Sequence, residues 1–150
     1  QASRHELVDI DGDADLDAFI GYSHDPEGRK VAWHEQGNSP QAAWGYHPIA
    51  NLTRGYAESL DAGDLDGDGD PDVIIGEYNM KSAQERPASL WIFENLGQGG
   101  SWAQHLVYDG DSHYQSSQAY DIDADGDLDI LSKGWHHGRV HLYENVTCSP

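Results

Sequence analysis

A run of five aspartates at every second position occurs three times in this 150-residue chain. It reads Asp9-Ile10-Asp11-Gly12-Asp13-Ala14-Asp15-Leu16-Asp17, then Asp64-Leu65-Asp66-Gly67-Asp68-Gly69-Asp70-Pro71-Asp72, then Asp121-Ile122-Asp123-Ala124-Asp125-Gly126-Asp127-Leu128-Asp129. The starts lie 55 and 57 residues apart, and 15 of the 27 acidic residues fall within these loops. Such a period implies repeated supersecondary units, each burying its apolar face against the next.

The flanks repeat in step. After each loop comes a short apolar run: Ala18-Phe19-Ile20-Gly21, Val73-Ile74-Ile75-Gly76 and Ile130-Leu131-Ser132-Lys133-Gly134. A second run then ends in His or an aromatic residue followed by Glu: Val31 to Glu35, Leu90 to Glu94 and Val140 to Glu144. A third run, Trp44 to Ile49 and Trp102 to Val107, closes the first two units. Short β runs set off by Gly, Asn, Asp and Pro, without helical periodicity, predict an all-β chain. Four strands per unit is the pattern of a β-propeller blade. The expected blades are 1–50, 51–108 and 109–150, the last without its outer strand. Propellers close with roughly 4–8 blades, so these blades are expected to belong to a larger ring or one closed by further copies.

The formal charge is −19, from 8 basic and 27 acidic residues. That balance excludes a nucleic-acid partner, which needs a basic stripe, and argues against an anionic membrane surface. Five Trp and eight Tyr speak against disorder. The longest apolar runs are far too short for a membrane span. Asn51-Leu52-Thr53 and Asn145-Val146-Thr147 are glycosylation acceptors, so Asn51 and Asn145 point to a secreted glycoprotein. The single cysteine, Cys148, has no internal partner.

Alternating carboxylates in a tight loop suit a hard cation that takes six to eight oxygens. Calcium fits better than magnesium, which keeps its waters, and better than zinc, which prefers His and Cys. By analogy with the EF-hand loop, the seventh position should offer its carbonyl. The twelfth, Ile20, Ile75 or Ser132, lacks the EF-hand Glu. Five like charges held together without a cation would destabilise the fold.

The loop, the Gly after the second strand and the Phe93-Glu94-Asn95 and Tyr143-Glu144-Asn145 endings resemble FG-GAP/VCBS repeats. These are the calcium-loop blades of integrin-α-type propellers and of some carbohydrate-active proteins. The resemblance implies side-chain ligands at Asp9, Asp11, Asp13 and Asp17, with Asp15 acting through its carbonyl. It implies the same of Asp64, Asp66, Asp68 and Asp72 with Asp70, and of Asp121, Asp123, Asp125 and Asp129 with Asp127. Three mainly structural calcium ions are expected. Ala14 stands where the other loops have Gly69 and Gly126; a positive φ there costs about 1 kcal/mol, so the first loop is expected to bind most weakly.

Loops alternate between the two ends of an antiparallel blade, so a second set gathers opposite the aspartates. Tyr22, His24, Arg54, Tyr56, Tyr78, Asn79, Trp135 and Arg139 are the ligand-binding candidates there, and their aromatic and polar groups suit a sugar. His113, His136 and His137 are the weaker catalytic candidates. His47 and His105 share one repeat position, which marks them as structural, and Trp33, Trp91 and Trp102 fall on strands as packing residues.

These observations predict a secreted, calcium-binding propeller module with a carbohydrate or extracellular protein ligand, lectin- or adhesion-like. The alternative is the propeller part of a larger carbohydrate-active enzyme, a polysaccharide lyase or sugar dehydratase, with His and Arg at its site. A purely structural or protein-interaction segment is the third reading.

Overall fold

The computed structural model describes residues 2–22, 29–52, 55–79, 88–134 and 138–146. These residues form three sheets and no helix. In the first, β1 (Ala2–Val8), β2 (Asp17–Tyr22), β3 (Arg29–His34) and β4 (His47–Leu52) lie side by side in chain order. In the second, β5 (Tyr56–Gly63), β6 (Asp72–Tyr78), β7 (Ser89–Asn95) and β8 (Trp102–Asp109) do the same. The third contains β9 (Ser116–Tyr120), β10 (Asp129–Lys133) and β11 (Val140–Tyr143). Every neighbouring pair is antiparallel. The architecture is all-β, a row of β-propeller blades. The first sheet runs to Leu52 and the second to Asp109, slightly past positions 50 and 108.

The blades stack through their inner strands: β5 packs on β1, β2 and β3, and β9 packs on β5 and β6. The alternation of a strand explains how the middle blade serves two neighbours. Val73 and Ile75 of β6 join Phe19, Val31 and Trp33 in the core between the first two blades. Ile74, between them in sequence, points the other way and meets Leu65, Leu90 and Ile130 towards the third blade. Hence β6 is buried along both faces, whereas β11 alternates between exposed and half-buried.

Close stacking explains the glycine that follows the apolar run. A Cβ on Gly21 would stand 2.8 Å from the Ala57 Cβ of the next blade. On Gly76 it would stand 2.0 Å from Ser59 Oγ and 2.5 Å from the His113 carbonyl oxygen. The neighbouring chain passes where a side chain would be.

Candidate metal loops and the opposite face

Each aspartate loop is laid out by its own side chains. Asp9 accepts the N–H groups of Gly12 (2.8 Å) and Ala14 (3.0 Å) on its two carboxylate oxygens. Asp64 accepts those of Gly67 (2.8 Å) and Gly69 (3.1 Å) in the same way, and Asp121 accepts that of Gly126 at 3.2 Å. Asp11, Asp66 and Asp123 each accept the N–H two residues on, at 3.1–3.2 Å. Asp13, Asp68 and Asp125 repeat this at 2.9–3.0 Å. Such Asx turns favour a tight, winding backbone.

That winding needs two left-handed residues per loop. The fourth position has φ of 79° at Gly12, 80° at Gly67 and 66° at Ala124. The sixth has 74° at Ala14, 95° at Gly69 and 102° at Gly126. Ala14 does hold the positive φ expected of it, but the ground for ranking the first loop weakest is not peculiar to it, because Ala124 places the same strain in the third. Only the second loop has glycine at both positions.

The aspartate in ninth position closes the loop onto the sheet. Asp17 accepts N–H groups from Ile10 (3.1 Å) and Gln36 (2.9 Å). Asp72 accepts from Leu65 and Asn95, both at 2.9 Å, and Asp129 from Ile122 (3.0 Å) and Asn145 (2.9 Å). All three are buried. Burial outweighs these bonds and pushes the Asp72 carboxyl up to about 6, and it raises Asp17 as well. Asp11, Asp66 and Asp123 also rise, through desolvation and then the adjoining carboxylates Asp13, Asp68 and Asp125.

The side chains leave carboxylate oxygens converging within 4.8 Å of one another at Asp9, Asp11 and Asp13, at Asp64, Asp66 and Asp72, and at Asp121, Asp123 and Asp125. The buried Asp15 Oδ1 has no hydrogen-bond partner. Clustered oxygens, mutual repulsion and an orphaned buried carboxylate oxygen fit a hard, oxygen-seeking cation. Three of the five aspartates in each loop form the convergent group.

At the opposite end, Tyr78 packs on Tyr114 with ring centroids 4.6 Å apart, and Asn79 follows Tyr78 in the chain. Arg139 donates to Asp111 at 2.5 Å. The Tyr22 hydroxyl lies 2.7 Å from His34 Nε2, and burial holds His34 below the usual histidine range. Tyr56 is half-buried at the start of β5. His24, Arg54, Trp135, His136, His137 and Cys148 lie outside the described residues.

His113 does not fit a catalytic part. It is fully buried, with Nδ1 2.7 Å from Ser132 Oγ and Tyr108, His141 and Tyr143 around its ring. Ser59 donates to the His113 carbonyl at 2.5 Å, and Ser59, Ser117 and Ser132 form a chain of hydroxyls beside it. This network fastens the second blade to the third. His47 and His105 pair with Glu35 (2.9 Å) and Glu94 (2.6 Å), one at the same place in each blade. Trp33 is buried and stacks on His47, and Trp102 meets the edge of Phe19.

Asn95 and Asn145 are functional in a way their position after Glu signalled only in part. Asn95 Nδ2 donates to the Ile10 carbonyl at 3.1 Å, and Asn145 Nδ2 to the Leu65 carbonyl at 2.8 Å and that of Leu128 at 3.3 Å. This conflicts with Asn145 as a glycan acceptor, because the nitrogen to be modified is the donor that joins two blades. Asn51 is exposed on β4.

Residues 9–75 match the family model for an FG-GAP-like repeat. The chain is also 33% identical to human integrin alpha-7 over 101 residues, which are 61% of this chain and 8% of that protein. No helix among the described residues is long and apolar enough to cross a membrane. The repeated loop and the four-stranded sheet behind it agree with that match: residues 9–75, which run from the first aspartate loop through the first blade and into β6 of the second, are similar to an FG-GAP-like repeat.

Proposed function

We propose that the chain is a calcium-stabilised, extracellular propeller module that presents a ligand surface at the end opposite its metal loops. The observation that carries the metal reading is the convergence of three carboxylates in each of the three loops. Asp9, Asp11, Asp13, Asp64, Asp66, Asp72, Asp121, Asp123 and Asp125 would hold the ions, and the remaining loop aspartates would complete or orient the sites. Bound calcium would neutralise the repulsion within each loop and lock the β1–β2, β5–β6 and β9–β10 turns. Its role is structural. The likeness to an integrin chain and the exposed Asn51 support an extracellular setting.

The ligand class proposed is carbohydrate. Tyr78 and Tyr114 supply adjoining aromatic faces, and Asn79 and the Asp111–Arg139 pair supply polar groups from the same set of loops; sugars bind to such mixtures. Glycan-array binding by calcium-loaded protein, lost on Tyr78→Ala with the fold intact, tests this. Binding unchanged by that substitution, or no glycan bound at all, would contradict the ligand reading and leave the calcium reading to its own test.

A further inference from the structure

The inner strands of the three blades line a cavity of about 200 Å³. Arg4 comes from β1, Ser59 and Leu60 from β5, and Gln115 to Gln118 from the start of β9. The middle blade's β5 packs on both β1 and β9, so each wall comes from a stacked neighbour. These residues lie in the halves of their strands away from the aspartate loops. Arg4 is opposite Gly21, Ser59 opposite Gly76 and Ser116 opposite Lys133. The cavity therefore belongs to the end that carries Tyr78 and Tyr114, and Tyr114 directly precedes Gln115. No Asp or Glu lines it, in a chain with 27 of them.

The groups left over for a ligand are donors. Arg4 Nε donates to the Glu58 carbonyl at 2.5 Å, and Arg4 has no carboxylate partner among the described residues. That contact holds the guanidinium by one edge and leaves the Nη1 and Nη2 end, whose parallel N–H groups match the two oxygens of a carboxylate. Lys133 Nζ donates to Gln115 Oε1 at 2.5 Å. An ammonium can only donate, so this bond sets the orientation of the amide and leaves its NH2 as a donor. Ser116 Oγ donates to Gln118 Oε1 at 3.1 Å, with the same result. The hydroxyls of Ser59 and Ser117 are already committed to one another and to the His113 carbonyl. One guanidinium and two amides thus offer N–H groups to a shared space, and a second cation, Lys133, stands one contact behind.

We infer that this cavity takes the carboxylate of an acidic sugar, a single uronate residue, with Arg4 as its bidentate clamp and Gln115 and Gln118 as donors to its remaining oxygens. The inference rests on the carbohydrate reading of this end of the blades and narrows it to sugars that carry a carboxylate. The space suits one sugar ring, and Tyr114 offers the adjoining aromatic face. A phosphate monoester would set nearly two negative charges against one guanidinium in a chain of formal charge −19. A carboxylate brings one charge and the planar shape that the guanidinium end matches.

The test titrates the full calcium-loaded chain with D-galacturonate and D-glucuronate, with their neutral parents D-galactose and D-glucose, and with acetate. It follows the side-chain signals of Arg4, Gln115 and Gln118 by NMR. At least one uronate should shift all three saturably. Its neutral parent, which lacks the carboxylate, and acetate, which lacks the ring, should each bind about 10-fold more weakly or worse. Arg4→Gln should weaken the uronate by about 10-fold or more, and Arg4→Lys, which keeps the charge but loses the fork, should restore only part. Gln118→Leu, at an exposed position on β9, gives a second reading that leaves β1 untouched and should weaken the uronate several-fold. Equal affinity for uronate and neutral parent, uronate binding unchanged in both Arg4→Gln and Gln118→Leu, or acetate binding as tightly as the uronate overturns the inference. Neutral glycans bound through Tyr78, with no gain from the carboxylate, would defeat the uronate assignment and leave the carbohydrate reading standing. No shift with either uronate, together with a blank glycan array, defeats both.

Discussion

The Asn95 side chain of the second blade donates to the backbone carbonyl of Ile10 in the first, at 3.1 Å, across a break of 85 residues in sequence. Its other amide atom accepts the N–H groups of Gly97 and Gly99 at 3.2 and 2.9 Å. One side chain thus satisfies buried backbone from two blades. The aspartate loop of one blade is tied to the next by this bond, and Asn145 repeats it to Leu65.

Removing the tie should leave both partners buried and unsatisfied. Asn95→Ala is expected to cost about 2–4 kcal/mol, as several hydrogen-bonding groups lose their partner at once. Asn145→Ala, in a half-buried copy of the site, should cost less. Denaturant titration of both variants checks the order; equal and negligible losses would show that the bonds do not couple the blades.

Blade spacing gives a second expectation. Gly76→Ala places a methyl group on Ser59 and the His113 carbonyl, and should destabilise by about 3 kcal/mol or more through overpacking. Gly138→Ala, with open space around it, should shift stability by less than about 0.5 kcal/mol. Thermal melts of the two variants make the comparison.

Backbone strain in the loops makes a third. Ala14→Gly and Ala124→Gly should each raise stability by about 0.5–1 kcal/mol, because both alanines hold positive φ. Gly69→Ala, at φ 95°, should lower it by about 1–2 kcal/mol. Calcium affinity, read loop by loop in the variants, should follow the same order.

The response to pH should change sign with calcium. Asp72 sits at about 6 in the folded chain, against an ordinary value of 3.8, because burial penalises its charge. The folded metal-free state therefore binds the extra proton, and its stability should fall as pH rises from about 4 to 6. Glu77, buried and likewise raised, acts in the same direction. Calcium competes with that proton, so calcium-loaded protein should instead lose stability as pH falls through 6. Melting temperatures at pH 5 and 7, with calcium and with chelator, resolve the two slopes.

Much of this fold was legible in sequence, because the aspartate period and the apolar runs after it are local patterns. Phe19, Val31, Val73 and Ile75 reached the core they were spaced for, and His47 and His105 turned out to be repeat-structural. What escaped were contacts between units. Asn145 carried a glycosylation signal in its next two residues, yet its neighbour in space is Leu65, 80 positions away. His113 sat among polar loop residues and so suggested chemistry, whereas the fold closes Tyr108, His141 and Tyr143 over it. The positive φ of Ala124 was hidden because alanine is an unexpected residue for that conformation.

Calcium titration of the chelated protein, followed by calorimetry and native mass, tests the central claim most directly. Three calcium ions per chain are expected, with a rise of many degrees in melting temperature and loss of one ion each on Asp9→Ala, Asp64→Ala and Asp121→Ala. A chain that takes up no calcium, and melts at the same temperature with and without it, would contradict the account.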